Sequence, residues 1–282
     1  MTVTFCPTTM RADALVHTSH VGGAQRRATL EPLFASLDCA LVCGMAPDAA
    51  ADDHTLALYQ RTGSSARRAA LFPALCGFRA DDPGVLRYAQ ARERQYPGLW
   101  RALGEVFARK ERPGWTAPVS PAACAPLWDA AAALRLPVWL HHDLRGPSDA
   151  LELDRALGAL PPTAPGVVLC HAGVPWRAAG AAGAADAAET GPLGAFGACA
   201  ALMRQHPRLH ADLSWSALRA GEDDPDAFRR FLLAFPERTL LGSDAVPPEG
   251  PEDAQRRLAP LLRPVLRQAQ PACSGTLQRV VR

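Results

Sequence analysis

Eight short apolar runs divide this chain, and side chains with acid, base or metal-binding chemistry stand near the C-terminal ends of several of them. The first run ends at His17, and later runs carry Glu105, His141, His171 and Asp244. Parallel strands that are covered on both faces have continuous apolar sequences of this kind. The fold that most often brings the C-terminal ends of many parallel strands to one rim is the (β/α)8 TIM barrel. The runs therefore predict an α/β protein with this architecture.

The spacing of the runs predicts eight strands with helices between them. The predicted strands are Ala12–His17, Cys39–Met45, Ala70–Phe78, Ala102–Phe107, Pro137–His142, Gly166–His171, Leu209–Trp215 and Thr239–Asp244. The clearest predicted helices are Ala123–Leu134, Asp149–Leu160, Leu193–Gln205 and Pro225–Ala234. Ser120 and Asp224 each precede a proline, as is typical of an N-cap residue followed by proline in the first helical turn. In a chain of 282 residues, this order predicts a single barrel domain over residues 1–271 and a loose C-terminal tail over residues 272–282.

Composition excludes several classes of protein. The net charge of +2 is too small to favour a nucleic-acid or membrane surface. No apolar run approaches the roughly 20 residues that a membrane-spanning helix needs, and the eight cysteines include no CxxC pair. Buried free cysteines suit a reducing compartment. We expect a soluble cytoplasmic protein that acts on a small molecule, with assembly into a homo-oligomer left open.

Strand ends that converge on one rim would bring five side chains together. Imidazoles and carboxylates in such a cluster are ligands for Zn²⁺ or a related divalent ion. A bound ion lowers the pKa of water from about 15.7 to about 7, so Asp244 could both bind the metal and take the proton. His171 could polarise the substrate or protonate the leaving group, and Glu105 could orient a histidine or add a ligand. Taken singly, each histidine could be a hydrogen-bonded core group, Asp244 a helix cap, and Glu105 the partner of an arginine.

Six sequence pieces together resemble the amidohydrolase superfamily, in particular its amidohydrolase-related branch of small metal-dependent hydrolases and decarboxylases. The pieces, in family order between residues 13 and 245, are DALVH, ALGEV, LPVWLHHD, VVLCHAG, HADLSW and LLGSDA. The resemblance implies a (β/α)8 barrel with a metal held by strand-one histidines, the strand-five histidine and the strand-eight aspartate. His141 and Asp244 match the last two positions, and His171 matches the strand-six histidine that acts as catalytic partner.

The first strand departs from the family pattern, D-x-H-x-H, because Leu15 stands where the first histidine is expected. Two outcomes remain open. In the first, His17, His141 and Asp244 hold one divalent ion, for which zinc is the leading candidate, since two histidines and a carboxylate form a facial triad. In the second, the metal is lost, and the same residues act with His171 and substrate-binding arginines.

Residues outside the predicted cluster receive weaker assignments. His20 could replace the missing ligand or bind substrate, and Arg145 could neutralise a carboxylate on the substrate through its bidentate fork. Trp176 could form part of an apolar wall of the pocket. His142 should point away from His141, because neighbouring side chains in a strand face opposite sides.

The leading hypothesis is a metal-dependent hydrolase that acts, through a metal-activated water, on a small carbonyl, ester or lactone substrate, with a carboxylate-bearing substrate included. One alternative is a metal-free lactonase or decarboxylase-like enzyme. A second is a TatD-like phosphodiesterase, which the GEV at residues 104–106 favours and the GSD at residues 242–244 opposes. A third is a non-catalytic barrel that binds a metabolite, which Leu15 keeps open.

Overall fold

A computed structural model gives the structure of most of the chain. It describes residues 12–18, 39–45, 47–62, 71–109, 117–175, 191–245, 256–257 and 260–261, and leaves out the side chains of residues 12–15, 109 and 191. His20, Trp176 and the predicted tail at residues 272–282 lie outside the described residues, and so does the side chain of Leu15.

Eight parallel strands, paired in chain order, form one sheet. They are β1 Ala12–His17, β2 Cys39–Cys43, β3 Leu71–Leu75, β4 Ala102–Arg109, β5 Val138–His142, β6 Val167–Leu169, β7 Leu209–Asp212 and β8 Thr239–Leu240. A parallel bridge joins Val16 to Ala245, and the His17 backbone N–H donates to the Ala245 carbonyl at 2.9 Å. This bridge connects the first strand to the segment that follows the last. The fold is the (β/α)8 barrel that the sequence predicts.

The described residues contain seven α-helices on the outside of the strands. They are α1 Ala49–Arg61, α2 Val85–Gln95, α3 Pro121–Leu134, α4 Pro147–Gly158, α5 Gly197–Gln205, α6 Trp215–Asp223 and α7 Pro225–Ala234. The two predicted N-caps are confirmed, because Ser120 accepts from the Ala123 N–H at 3.1 Å and Asp224 from the Ala227 N–H at 2.9 Å. Among the described helices, none has both the length and the apolar character needed to cross a membrane.

Successive side chains of a strand point alternately to the barrel interior and to the helices. This alternation produces two apolar layers. In β5, Trp139 packs inside the barrel, whereas Val138 and Leu140 pack in the layer between strands and helices. His141 continues the inward series, and His142 the outward one. As predicted, His142 faces the helices, where its Nε2 lies 3.1 Å from the Asp149 carbonyl of α4.

Five strands end earlier than predicted, and in three of them the difference changes the rim. β6 ends at Leu169, β7 at Asp212 and β8 at Leu240. Beyond these points the chain turns, with positive φ at His171, Trp215 and Asp244 (56°, 42° and 55°). These turns do not interrupt the apolar sequence, because Cys170, Leu213 and Leu241 remain buried beyond the last strand residues, and the Leu213 N–H still donates to the Leu240 carbonyl. The predicted strand ends at Met45 and Phe78 are likewise too late, and the predicted helix Leu193–Gln205 is divided into a 3₁₀ turn, Gly191–Phe196, and α5.

Candidate functional site

Five of the predicted residues lie together at the C-terminal end of the barrel. Their side chains are almost fully buried, at 0–2% exposure, except for that of Asp244, which is 10% exposed. The members of this cluster, called here the rim cluster, are His17, Glu105, His141, His171 and Asp244. The convergence follows from their positions at the ends of β1 and β5, just beyond β6 and β8, and, for Glu105, inside β4, which continues to Arg109.

His17 is oriented by the strand that follows it in the barrel. Its Nδ1 lies 3.2 Å from the Gly44 carbonyl and 3.6 Å from the Cys43 thiol. Its Nε2 therefore points to the opposite side, 2.8 Å from Asp244 Oδ1 and 3.3 Å from Glu105 Oε2. One ring nitrogen is fixed by the barrel, and the other is presented to two carboxylates.

Glu105 contacts three histidines. In addition to His17, its Oε1 lies 2.7 Å from His141 Nδ1 and 3.6 Å from His171 Nε2. The sequence left open a pairing with an arginine, and the contacts described for Glu105 are with imidazoles. A carboxylate in this position can orient ring nitrogens or ligate a cation between them.

Asp143 extends the cluster toward the surface, and no role was predicted for it. Its Oδ1 lies 3.3 Å from His141 Nε2, and its Oδ2 accepts from Arg145 Nη2 at 3.1 Å. The Arg145 side chain, 42% exposed, thus holds a positive charge at the mouth of the site. The run HHDLR contained the signal, because a strand-end histidine followed by Asp and Arg can form such a chain.

His171 is joined to a second pair of residues without predicted roles. Its Nδ1 lies 2.8 Å from Ser214 Oγ, and Ser214 donates a hydrogen bond to Asp212 Oδ2. Both partners are fully buried at the end of β7 and the start of α6. The sequence piece HADLSW contains both residues. Asp212 and Ser214 are separated by a single leucine, and this spacing indicated that both side chains face the barrel interior.

Two groups of three side chains have ligand atoms close enough to share a metal ion. One group is His17, Glu105 and Asp244, and the other is Glu105, His141 and His171, with all ligand atoms of a group within 4.8 Å of one another. Glu105 belongs to both groups. The three ligands predicted from the sequence are divided between them, with His17 and Asp244 in the first and His141 in the second.

Buried carboxylates and histidines change each other's proton affinity. Burial disfavours the charged imidazole of His17, but Cys43, Asp244 and Glu105 outweigh it and raise the pKa of His17 well above its ordinary value. Burial likewise opposes charging of His171, whose pKa is nevertheless raised by Asp244, Glu105 and Asp212. A cation bound at these nitrogens would compete with the proton.

Asp143 and Asp212 are shifted in opposite directions. Burial favours the neutral form of Asp143, but His141 and Arg145 outweigh it and lower the pKa of that carboxyl. Asp212 has weaker compensation, so burial raises its pKa to about 6. The carboxyl beside Arg145 is therefore held ionised more firmly than the one beside Ser214.

Comparison with known proteins supports the same fold and adds a family. The sequence model of the amidohydrolase family matches residues 47–271. No curated protein sequence is significantly similar to the chain.

Solved structures with the same fold include three from bacteria. A TatD homologue from Escherichia coli K12 is 18% identical, with 95% of each chain covered and a TM-score of 0.58. 2,6-Dihydroxybenzoate decarboxylase from Rhizobium is 15% identical, with 97% of each chain covered and a TM-score of 0.52. 4-Oxalomesaconate hydratase from Rhodopseudomonas palustris is 13% identical, covers 97% of this chain and 93% of its own, and has a TM-score of 0.52. At these identities the likeness shows the fold alone.

Proposed function

Because the chain belongs to the amidohydrolase family, we propose that it is a metal-dependent hydrolase of small ester, lactone or other carbonyl substrates, including carboxylate-bearing ones. The observation that carries this proposal is the rim cluster, in which two groups of potential ligands share Glu105 at the C-terminal end of the barrel. This end carries the active site in barrel enzymes.

The side chains of the rim cluster fit a divalent cation. They offer imidazole nitrogens and carboxylate oxygens, the donors that Zn²⁺ binds. His171 Nε2 is buried and has no hydrogen-bond partner among the described residues, and it lies 3.6 Å from Glu105 Oε1. A buried polar atom without a partner is costly unless something else satisfies it. We propose one divalent ion, Zn²⁺, bound by His17, His141 and Asp244 or by one of the two groups that share Glu105.

The side chains themselves divide the work of proton transfer. A bound ion would supply a water nucleophile at neutral pH by lowering the pKa of that water to about 7. Asp244 has the most exposed side chain of the rim cluster, so its carboxylate can accept the proton of the nucleophile. With the ion on Glu105, His141 and His171, His17 Nε2 would remain 2.8 Å from Asp244 Oδ1 and stabilise its charge. His171 presents Nε2 to the same space and can deliver a proton to the leaving group.

The mouth of the site favours an anionic substrate. Arg145 places its guanidinium at the surface beside Asp143. A series of polar contacts then runs inward from Asp143 through His141 to Glu105. The rings of Trp215 and His171 meet edge to face, with centroids 5.3 Å apart, and Trp215 offers an apolar wall beside His171. A carboxylate near Arg145 and an apolar portion near Trp215 would orient the scissile carbonyl between them.

Metal analysis of the purified protein, followed by assays with esters and lactones, tests the proposal. We expect one divalent ion per chain, loss of activity with a strong chelator, and recovery when zinc is returned. Asp244→Asn should lower kcat/KM by about 10²- to 10⁴-fold, whereas Asp223→Asn, the same change at an exposed end of α6, should not alter it. A metal-free protein that keeps full activity in chelator would contradict the metal-dependent mechanism and favour the metal-free alternative. A metal-loaded protein that is inactive on every ester and lactone would contradict the substrate class.

Substitution at Leu15 tests the number of ligands. Leu15→His restores the D-x-H-x-H pattern of the first strand, so metal should bind more tightly. Leu15→Ile, which adds no donor atom, is the matched control. Equal zinc affinity in both variants, measured by competition with a chromogenic chelator, would show that residue 15 does not reach the ion.

A further inference from the structure

The Ser214 hydroxyl is placed to cap a helix and does not do so. Ser214 occupies the N-cap position of α6 with the extended backbone that caps adopt, yet its side chain makes no capping hydrogen bond. Serine at this position ordinarily accepts from a backbone N–H of the first turn and thereby stabilises the helix. Here the hydroxyl lies between Asp212 Oδ2 and His171 Nδ1 instead.

The direction of these two hydrogen bonds follows from the Asp212 carboxylate, at the end of the series His171–Ser214–Asp212. An ionised carboxylate only accepts, and a hydroxyl has a single hydrogen to donate. The hydrogen of Ser214 therefore goes to Asp212, and Ser214 Oγ offers lone pairs alone to His171. Nδ1 of His171 must carry a hydrogen and donate it to Ser214. In the neutral imidazole this leaves the lone pair on Nε2.

Nε2 is the atom of His171 that faces the rim cluster. It is buried without a hydrogen-bond partner among the described residues, 3.6 Å from Glu105 Oε1. In the neutral ring it can accept a proton or bind a cation, and in the charged ring it is the nitrogen that can release a proton. In both states Nδ1 keeps its hydrogen, so the ring gains and loses its proton at Nε2 alone.

Asp212 is held close to this pair by two features. It accepts from the His171 backbone N–H at 3.4 Å through the oxygen that also accepts from Ser214. A Cβ on Gly242 would lie 2.5 Å from Asp212 Oδ1 and 3.2 Å from the Ser214 Cβ. The absence of a side chain at residue 242 leaves room for the carboxylate beside the hydroxyl.

We propose that Ser214 and Asp212 are positioning residues that fix His171 in the Nδ1–H tautomer and so reserve Nε2 for proton transfer or cation binding at the rim cluster. The tautomer stands on the geometry alone. Its effect on turnover rests on the proposed function.

Nitrogen NMR of the full chain labelled with ¹⁵N-histidine tests the tautomer directly. The His171 signals are assigned by their loss in His171→Gln, and the spectra are recorded at a pH where the ring is neutral. We expect a protonated Nδ1 and an unprotonated or metal-bound Nε2 in the native protein. Ser214→Ala should allow both tautomers. Asp212→Asn should favour the Nε2–H form, because an amide can donate to Ser214 and turn the hydroxyl toward Nδ1.

Ser216→Ala is the matched control. Ser216 is two residues further along α6, is also buried, and donates to the Val174 carbonyl rather than to His171. The control should retain the native tautomer, and circular dichroism should show all variants folded. A native His171 with hydrogen on Nε2, or an unchanged tautomer in both Ser214→Ala and Asp212→Asn, would overturn the proposal.

Kinetics separate this inference from the proposed function. Ser214→Ala should lower kcat by about 10- to 100-fold, as loss of a residue that orients a histidine does, while KM changes little and Ser214→Thr recovers part of the loss. If the tautomer is as expected but no ester or lactone is hydrolysed, the proposed function fails and the positioning role stands. If hydrolysis is metal-dependent but the tautomer does not respond, the positioning role alone fails.

Discussion

The two ends of the barrel treat buried polar groups in opposite ways. At the C-terminal end, His171 Nε2 and Asp212 Oδ1 are buried without hydrogen-bond partners among the described residues. Positive φ values occur there at His171, Ala172, Trp215 and Asp244. Such backbone conformations cost free energy in residues other than glycine and cluster at functional sites.

At the N-terminal end, two arginines satisfy the carbonyls of neighbouring connections. Arg208, just before β7, donates to the carbonyls of Leu160, Pro161 and Ala164 at 2.6–2.9 Å. Arg238, just before β8, donates to the carbonyls of Met203 and His206, at 2.6 and 3.2 Å, and stacks on Phe235 at 5.1 Å. Hydrogen bonds from a charged donor are stronger than those between neutral groups. These contacts therefore stabilise the connections between helices and strands.

This difference separates stability from function within one fold. The N-terminal end stabilises the barrel with satisfied polar groups. The C-terminal end holds ionisable side chains out of water at some cost, as pre-organised sites do. Substitutions at the C-terminal end should therefore change activity, and substitutions at the N-terminal end should change the free energy of unfolding.

The largest effect is expected at Glu105. Glu105→Gln removes the charge that contacts three histidines, so kcat/KM should fall by about 10²- to 10⁴-fold. The midpoint of thermal unfolding should change little, because the amide has the same size and keeps an oxygen that can accept from the imidazoles. Ester or lactone hydrolysis and a melting curve measure the two effects, with Glu237→Gln, on an exposed turn, as control. A strong loss of stability with normal turnover would remove the contrast between the two ends.

The opposite result is expected at Arg238. Arg238→Met keeps an apolar side chain near Phe235 but leaves the carbonyls of Met203 and His206 without their charged donor. The free energy of unfolding should fall by about 2–3 kcal/mol, with kcat/KM unchanged, as urea denaturation and steady-state kinetics would show. Arg204→Met is the control, since Arg204 also stacks on Phe235, at 5.8 Å, from an exposed position. Equal losses in the two variants would mean that stacking, rather than the carbonyl contacts, stabilises this end.

Asp212 lies at the C-terminal end of the barrel and also makes the stability of the protein depend on pH. Burial raises the pKa of Asp212 to about 6, above the usual value for an aspartate in an unfolded chain, about 3.9. Between these values this carboxyl binds more protons in the folded state than in the unfolded state, so the contribution of Asp212 to stability falls as pH rises from about 4 to about 6. Asp212→Asn should remove this contribution and gain about 3 kcal/mol relative to wild type at pH 7.

Urea denaturation of the chelator-treated proteins between pH 4 and 7 measures this difference. Asp223→Asn, on the surface, should follow wild type at every pH. A gap between wild type and Asp212→Asn that stays constant with pH would show that Asp212 is not the titrating group.

Much of the fold and of the rim cluster could be predicted from the sequence, because both depend on the order of apolar runs. Placing His17, Glu105, His141, His171 and Asp244 at one end requires only that parallel strands share a direction. Asp143, Asp212 and Ser214 were missed because their roles depend on where the chain leaves the strands. β7 ends at Asp212, and the turn that follows carries Ser214 back toward β6. Apolar periodicity carries no information about such turns, since Leu213 is as buried as the strand itself.

The smallest effect is expected at Ser120, which serves as a capping serine for comparison with Ser214. Ser120 accepts from the Ala123 N–H at the start of α3, whereas Ser214 leaves its helix uncapped. Ser120→Ala should lower the free energy of unfolding by about 1 kcal/mol without changing turnover. Ser214→Ala should impair turnover, with no loss of capping energy. Urea denaturation and kinetics on the two variants side by side measure both effects. If Ser120→Ala slowed turnover as much as Ser214→Ala, the effect at residue 214 would reflect general loosening of the barrel rim rather than the contact with His171.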